Sequence, residues 1–163
     1  MGAQSFKVGR GFTGVNREGS GALQSDTMKP ALALLIAFAA YAADLVMVHP
    51  KYLAAQLRDH APAMLYVGPN VLYRSKHIPG SVFAGPGGEA QGIELLKSAA
   101  AKLPHDREVV VYCGCCPWDR CPNVKPAVEA LRGMGFPKVK VVYLPTGFKT
   151  DWIDANLPVE SGQ

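Results

Sequence analysis

Cysteine is missing from this 163-residue chain outside one short stretch, residues 113–121, which holds all four. Disulfide scaffolds scatter their cysteines to staple distant loops, so that architecture is excluded, and redox, nucleophilic or metal chemistry in one loop is indicated instead. Charge is scarce as well: charged residues make up 18% and the net charge is +4. From residue 43 onward, 13 Lys and Arg stand against 11 Asp and Glu, about +2. No basic run interleaves with aromatics, which argues against nucleic acid as a partner. The apolar run at residues 31–43 is 13 residues long, short of the ~20 needed to span a bilayer. No Gly-rich dinucleotide fingerprint and no phosphate loop occur, so no cofactor is expected.

What remains is a hydrophobic content of 48% in a chain of one-domain length, the composition of a globular protein. Residues 1–27 are rich in Gly, Ser, Thr and Asn without apolar periodicity and read as an unstructured extension or a start assigned too early. Met28-Lys29 then opens a positive start, an apolar run and the small-x-small ending Ala40-Tyr41-Ala42. That is the pattern of a signal peptide at residues 28–42. Cleavage after Ala42 leaves residues 43–163 as the domain, exported to the periplasm or beyond, with no membrane attachment afterwards.

The remainder alternates strand-like and helix-like segments. Residues 45–48 form a short apolar run, and Pro50 suits the first turn of a helix reaching about residue 59. Residues 63–67 read as a buried strand stopped by Gly68-Pro69, and residues 81–84 as a short strand before Gly85-Pro86-Gly87-Gly88. Ile93, Leu96, Ala100 and Leu103 recur at helical spacing over residues 90–103. Val109-Val110-Val111 reads as a central parallel strand covered on both faces. A helix over residues 123–134, closed by Gly135, a strand over 139–144 and a short helix over 148–155 follow. The alternation predicts a single α/β domain with a mostly parallel central sheet flanked by helices.

The cysteines lie where the central strand gives way to a helix. In open α/β sheets, ligands bind at such carboxyl-end loops. Converging backbone amides and the helix dipole favour anions there and push a thiol toward thiolate. Cys113 directly follows the strand and is the first candidate nucleophile. Cys116 and Cys121 bracket Pro117-Trp118-Asp119-Arg120, and either is a candidate second reactive thiol or resolving thiol. Cys115 has the least definite place, as a resolving thiol or a spectator. Gly114, Trp118 and Arg120 are candidate substrate contacts; Trp118 equally suits packing the loop onto the domain.

Four segments together resemble the rhodanese-like domain family. These are "HIPGSV" at residues 77–82, "VVYC" at 110–113, a helix ending in "LRGMGF", and "LPTGFKTDWIDANLPVE" at 144–160. Their order and spacing cover about residues 45–160. The resemblance implies a rhodanese fold and a catalytic cysteine, by position Cys113. That cysteine takes a sulfane sulfur from a small sulfur-containing anion such as thiosulfate, becomes a persulfide, and passes the sulfur to a thiol or cyanide-like acceptor. Amides of the loop would stabilise the persulfide and the departing sulfite. Two departures stand out. The span from Cys113 to Gly135-Phe136 is about five residues longer than usual and carries the extra cysteines. The strand that usually ends "DVR" reads "YVG" at residues 66–68. His77 is expected to hold the turn at Ile78-Pro79-Gly80 through a backbone hydrogen bond, and Trp152 to lie in the core.

The competing reading from the residues alone is a metal or electron-carrying module. Thiolates suit copper(I), zinc or iron–sulfur clusters. Nine consecutive residues with two prolines hardly wrap a tetrahedral ion, which normally takes two ligand pairs from separate segments. A three-cysteine copper(I) site is the main alternative, and a thiol–disulfide carrier the next.

Overall fold

Val109, Val110 and Val111 build the middle strand of the sheet, and everything that positions the cysteines follows from it. The computed structural model describes residues 44–162. The expected extension and signal peptide lie outside the described residues.

Strands β1 (Val46–Val48), β2 (Ala63–Tyr66), β3 (Val82–Phe83), β4 (Val109–Tyr112) and β5 (Val139–Val142) form one sheet in the order β1-β5-β4-β2-β3. All pairings are parallel, with Leu65 opposite Val111 and Val111 opposite Val141. Helices α1 (Pro50–Gln56), α2 (Asn70–Ser75), α3 (Ala90–Ala100) and α4 (Val124–Gly133) connect them. Pro50 opens α1, where its missing N–H costs nothing, and Gly135 at φ +90° ends the turn after α4.

The period-two alternation of β4 sorts its side chains between two cores. Val109, Val111 and Cys113 face one cluster, with Leu96 and Ala100 of α3 and Val124, Ala127, Val128 and Leu131 of α4. Val110 and Tyr112 face the other, with Leu53, Tyr73, Phe148 and Trp152. Every residue of β4 is buried, as expected for a strand covered on both faces. Cys113, next in the alternation, must therefore point toward α4.

Two elements differ from expectation. Residues 70–75 form α2, which no apolar periodicity marks: of its six residues only Tyr73 is buried. The last helix is a wide, π-type turn, Lys149–Ile153, where Asp154 N–H reaches Lys149 O at 2.8 Å. The Asp151 carboxylate accepts the Thr146 and Gly147 amides at 2.7 and 2.9 Å and fixes its entry. Trp152 is fully buried, as expected, and donates to Pro158 O at 2.8 Å.

His77 plays a different part from the one expected. Its Nδ1 donates to Tyr73 O at 2.8 Å, back in α2, because a carbonyl can only accept. The turn that follows is held by the Tyr112 hydroxyl, which accepts the Ile78 amide at 2.9 Å and bonds Ser81 Oγ at 2.7 Å. The "HIPGS" segment is thus tied to the end of β4, one residue before Cys113.

Candidate active site

Four cysteine thiols, all free, sit in the loop leaving β4. The Cys113 sulfur is 3.1 Å from that of Cys115, and Cys115 is 2.9 Å from Cys116 and 3.9 Å from Cys121. The sulfurs of Cys113, Cys115 and Cys121 all lie within 4.8 Å of one another. Cys113 and Cys121 are buried, at 3% and 5% exposure, while Cys115 is exposed. Cys113 arrives from the strand and Cys121 stands two residues before Asn123, the N-cap position of α4. The two thus come from opposite ends of the loop.

The loop between them owes its shape to Trp118–Arg120, a single 3-10 turn begun by Pro117. The Trp118 amide bonds Leu144 O at 3.1 Å and its ring lies 6.5 Å from that of Tyr143. Trp118 therefore packs the loop onto the end of β5, the second of its two expected roles. Arg120 is exposed on the same turn, and no hydrogen bond from its side chain to the thiols is found. Gly114 lies against Tyr66: a β-carbon there would come 3.1 Å from the Tyr66 hydroxyl.

Asn123 is the residue that sequence reasoning missed. It reads as a helix cap, yet its side chain makes no capping bond. Instead its Oδ1 accepts the Gly88 amide at 2.9 Å, and its Nδ2 points at Cys113 and Cys115 at 3.6 and 3.8 Å. Buried at 7% exposure, it ties the Gly-rich turn after β3 to the thiols. An Asn following Cys-Pro at a helix start was the available signal.

Gly68 explains one departure in the sequence. A β-carbon at this position would sit 2.7 Å from the Cys113 sulfur and 2.8 Å from the Tyr66 hydroxyl. The thiol and the phenol occupy the space that any larger residue at the end of β2 would need.

The thiols hold their protons unequally. Cys121 is pulled down to about 5, chiefly by the neighbouring Cys113 thiol, whose sulfur lies within 4.8 Å, and further by the Asn123 amide, against the effect of burial. Cys113 is pushed up, first by that same interaction with Cys121 and then by burial, although the Cys115 amide opposes it. Cys116 is also raised, mainly by burial. One negative charge is therefore shared by the cluster and rests on Cys121. Burial raises Tyr66, a thiolate at Cys113 would raise it further, and its hydroxyl stays protonated.

A cleft of about 810 Å³ lies elsewhere. Ala61, Met64, Val82, Leu95 and Lys102 line it, and it contains no thiol. Geometry and chemistry thus favour the loop.

The fold has counterparts among known proteins. Residues 49–153, more than half of the chain, match the rhodanese-like domain. The chain belongs to this family. No curated protein matches it. Among solved structures, this rhodanese-like domain is similar to the BH2092 protein of Bacillus halodurans, at 19% identity and a TM-score of 0.55, over 71% of this chain and 77% of that one. The Alr3790 protein of Anabaena sp. matches at 23% identity and 0.53, over 71% and 92%. A thiosulfate sulfurtransferase of Pseudomonas aeruginosa matches at 23% and 0.52, over 73% of this chain and 21% of that one. These likenesses establish the fold.

Proposed function

We propose that this rhodanese-like domain is a sulfurtransferase whose first sulfur acceptor is Cys113. The observation that carries the reading is the convergence of three thiols at the carboxyl end of β4. Cys113 is fixed by the strand and carries the Asn123 amide against its sulfur. Reaction proceeds from the minor form of the cluster in which the shared proton sits on Cys121 and Cys113 is the thiolate, leaving the cluster's charge unchanged. The Cys113 thiolate then attacks the outer sulfur of thiosulfate. A new S–S bond forms at Cys113, and the S–S bond of the donor breaks with its electron pair leaving on sulfite. The Asn123 Nδ2 and the Cys115 amide are the donors at hand for the persulfide anion.

Export is part of the proposal, resting on the signal-like residues 28–42, and an oxidising compartment would tend to join thiols this close. The direct test is sulfite release from thiosulfate by the reduced domain in the presence of cyanide as acceptor. Turnover is expected for the wild type and its loss for Cys113→Ser.

A second reading is favoured by the same convergence. Three sulfurs within 4.8 Å would suit copper(I), a soft ion content with three thiolates, better than zinc, which wants four ligands. Metal content of protein purified from copper-fed cells separates the two readings.

A further inference from the structure

We propose that the sulfane sulfur moves from Cys113 to Cys115, and that Cys115 delivers it to the thiol of a protein acceptor. The inference rests on the sulfurtransferase reading and assigns the exit route from that site. Two observations carry it together. Cys113 is 3% exposed, hemmed in by Gly68, Tyr66 and Asn123, which keeps a bulky acceptor from it. Cys115 is exposed, on the loop, and its sulfur is only 3.1 Å from that of Cys113.

The step balances without an oxidant. The Cys115 sulfur attacks the terminal sulfur of the Cys113 persulfide and forms a new S–S bond. The old bond breaks, its electron pair stays on Cys113, and the proton lost by Cys115 ends there. Nothing is oxidised or reduced overall. The attack must be in line with the breaking bond, and a change of the Cys115 rotamer, free at an exposed position, swings its sulfur outward to allow it. Asn123 serves both ends of the route, since its Nδ2 lies 3.6 Å from one sulfur and 3.8 Å from the other.

The same geometry distinguishes a second outcome. Attack by Cys115 on the inner sulfur would give a Cys113–Cys115 disulfide and expel hydrosulfide. That would make the loop a sulfide-releasing device rather than a relay.

The experiment uses the full reduced chain and a Cys115→Ser variant, charged with thiosulfate and then offered either cyanide or a small reduced dithiol protein as acceptor. Sulfite release reports charging; tryptic cleavage after Arg120 separates Cys121 from the other three cysteines, and fragmentation of the peptide over residues 108–120 places the sulfur among Cys113, Cys115 and Cys116. The relay predicts that wild-type sulfur is found on both Cys113 and Cys115. In Cys115→Ser it should be found on Cys113 alone, with delivery to the protein thiol reduced roughly tenfold or more relative to delivery to cyanide. Equal losses toward both acceptors, or none, would overturn the relay while leaving the transferase standing. Release of hydrosulfide with a Cys113–Cys115 disulfide before any acceptor is added would also overturn it. Absence of sulfite release from the wild type would overturn the transferase reading and the relay with it.

Discussion

The sulfurs of Cys113 and Cys115 lie 3.1 Å apart, although the first is buried and the second exposed. The pair joins the interior of the domain to its surface through one sulfur contact. Gly68, Asn123 and the turn at Trp118 each maintain it from a different side, and each offers a way to disturb it.

Gly68→Ala should push the Cys113 sulfur aside. A β-carbon 2.7 Å from that atom is an overpacked contact, expected to cost about 1–3 kcal/mol of stability. Turnover should fall with it, because the thiol is moved out of line. A thermal midpoint and rate equal to the wild type would show that the site has slack the structure does not reveal.

Asn123 separates positioning from packing. Asn123→Asp keeps an acceptor for the Gly88 amide at 2.9 Å, so the tie to the Gly-rich turn is kept, although the buried carboxylate costs stability. It places a carboxylate against two sulfurs, which disfavours their thiolates, and the pH at which the loop alkylates should rise. Asn123→Ala should lose about 1–3 kcal/mol by leaving the Gly88 amide unsatisfied. If Asp and Ala variants alkylate alike, Asn123 does not act on the thiols.

Stability should respond to pH with a change of sign. Cys121 is held at about 5 in the fold against an ordinary 9.0, so between those values the unfolded chain binds more protons and stability rises with pH. Above about pH 9 the balance reverses. Unfolded Cys113 and Cys116 then lose protons that the folded chain retains. Urea unfolding of the reduced protein should show its highest midpoint near pH 9 and a fall beyond it. A midpoint that keeps rising into the alkaline range would contradict the shared charge.

Much of this was legible in the chain. Val109-Val110-Val111 marks a strand buried on both faces, and the alternation then dictates which side Cys113 takes. Gly135 and Pro50 mark their helix boundaries for backbone reasons alone. The short helix α2 was not legible, because with only Tyr73 buried it carries no apolar stripe. The site was half legible. Residue type and position point to Cys113 and Cys121, but spacing along the loop cannot reveal that Cys115 folds between them. Nor can it reveal that Asn123 leaves its capping role to reach Gly88, a contact 35 residues away in sequence.

Export makes a separate prediction. Produced in a bacterium with its leader, the protein should be found outside the cytoplasm and begin at or near Ala43. Such protein should gain activity on mild reduction, since Cys115 lies within reach of Cys113 and a bridge between them would block persulfide formation. A cytoplasmic protein that still starts at Met1, or equal rates before and after reduction with free thiols counted, would remove this part of the account.

The most direct measurement is the location of the sulfur after the reduced protein has met thiosulfate. Single Cys→Ser variants at 113, 115, 116 and 121 would be charged briefly, alkylated and mapped by peptide mass, with sulfite counted in parallel. The account predicts one added sulfur that enters at Cys113, no charging and no sulfite from Cys113→Ser, and slowed charging from Cys121→Ser, which lacks the proton acceptor. Full charging of Cys113→Ser, with the sulfur on Cys121 or Cys116, would contradict the assignment of the strand-end cysteine.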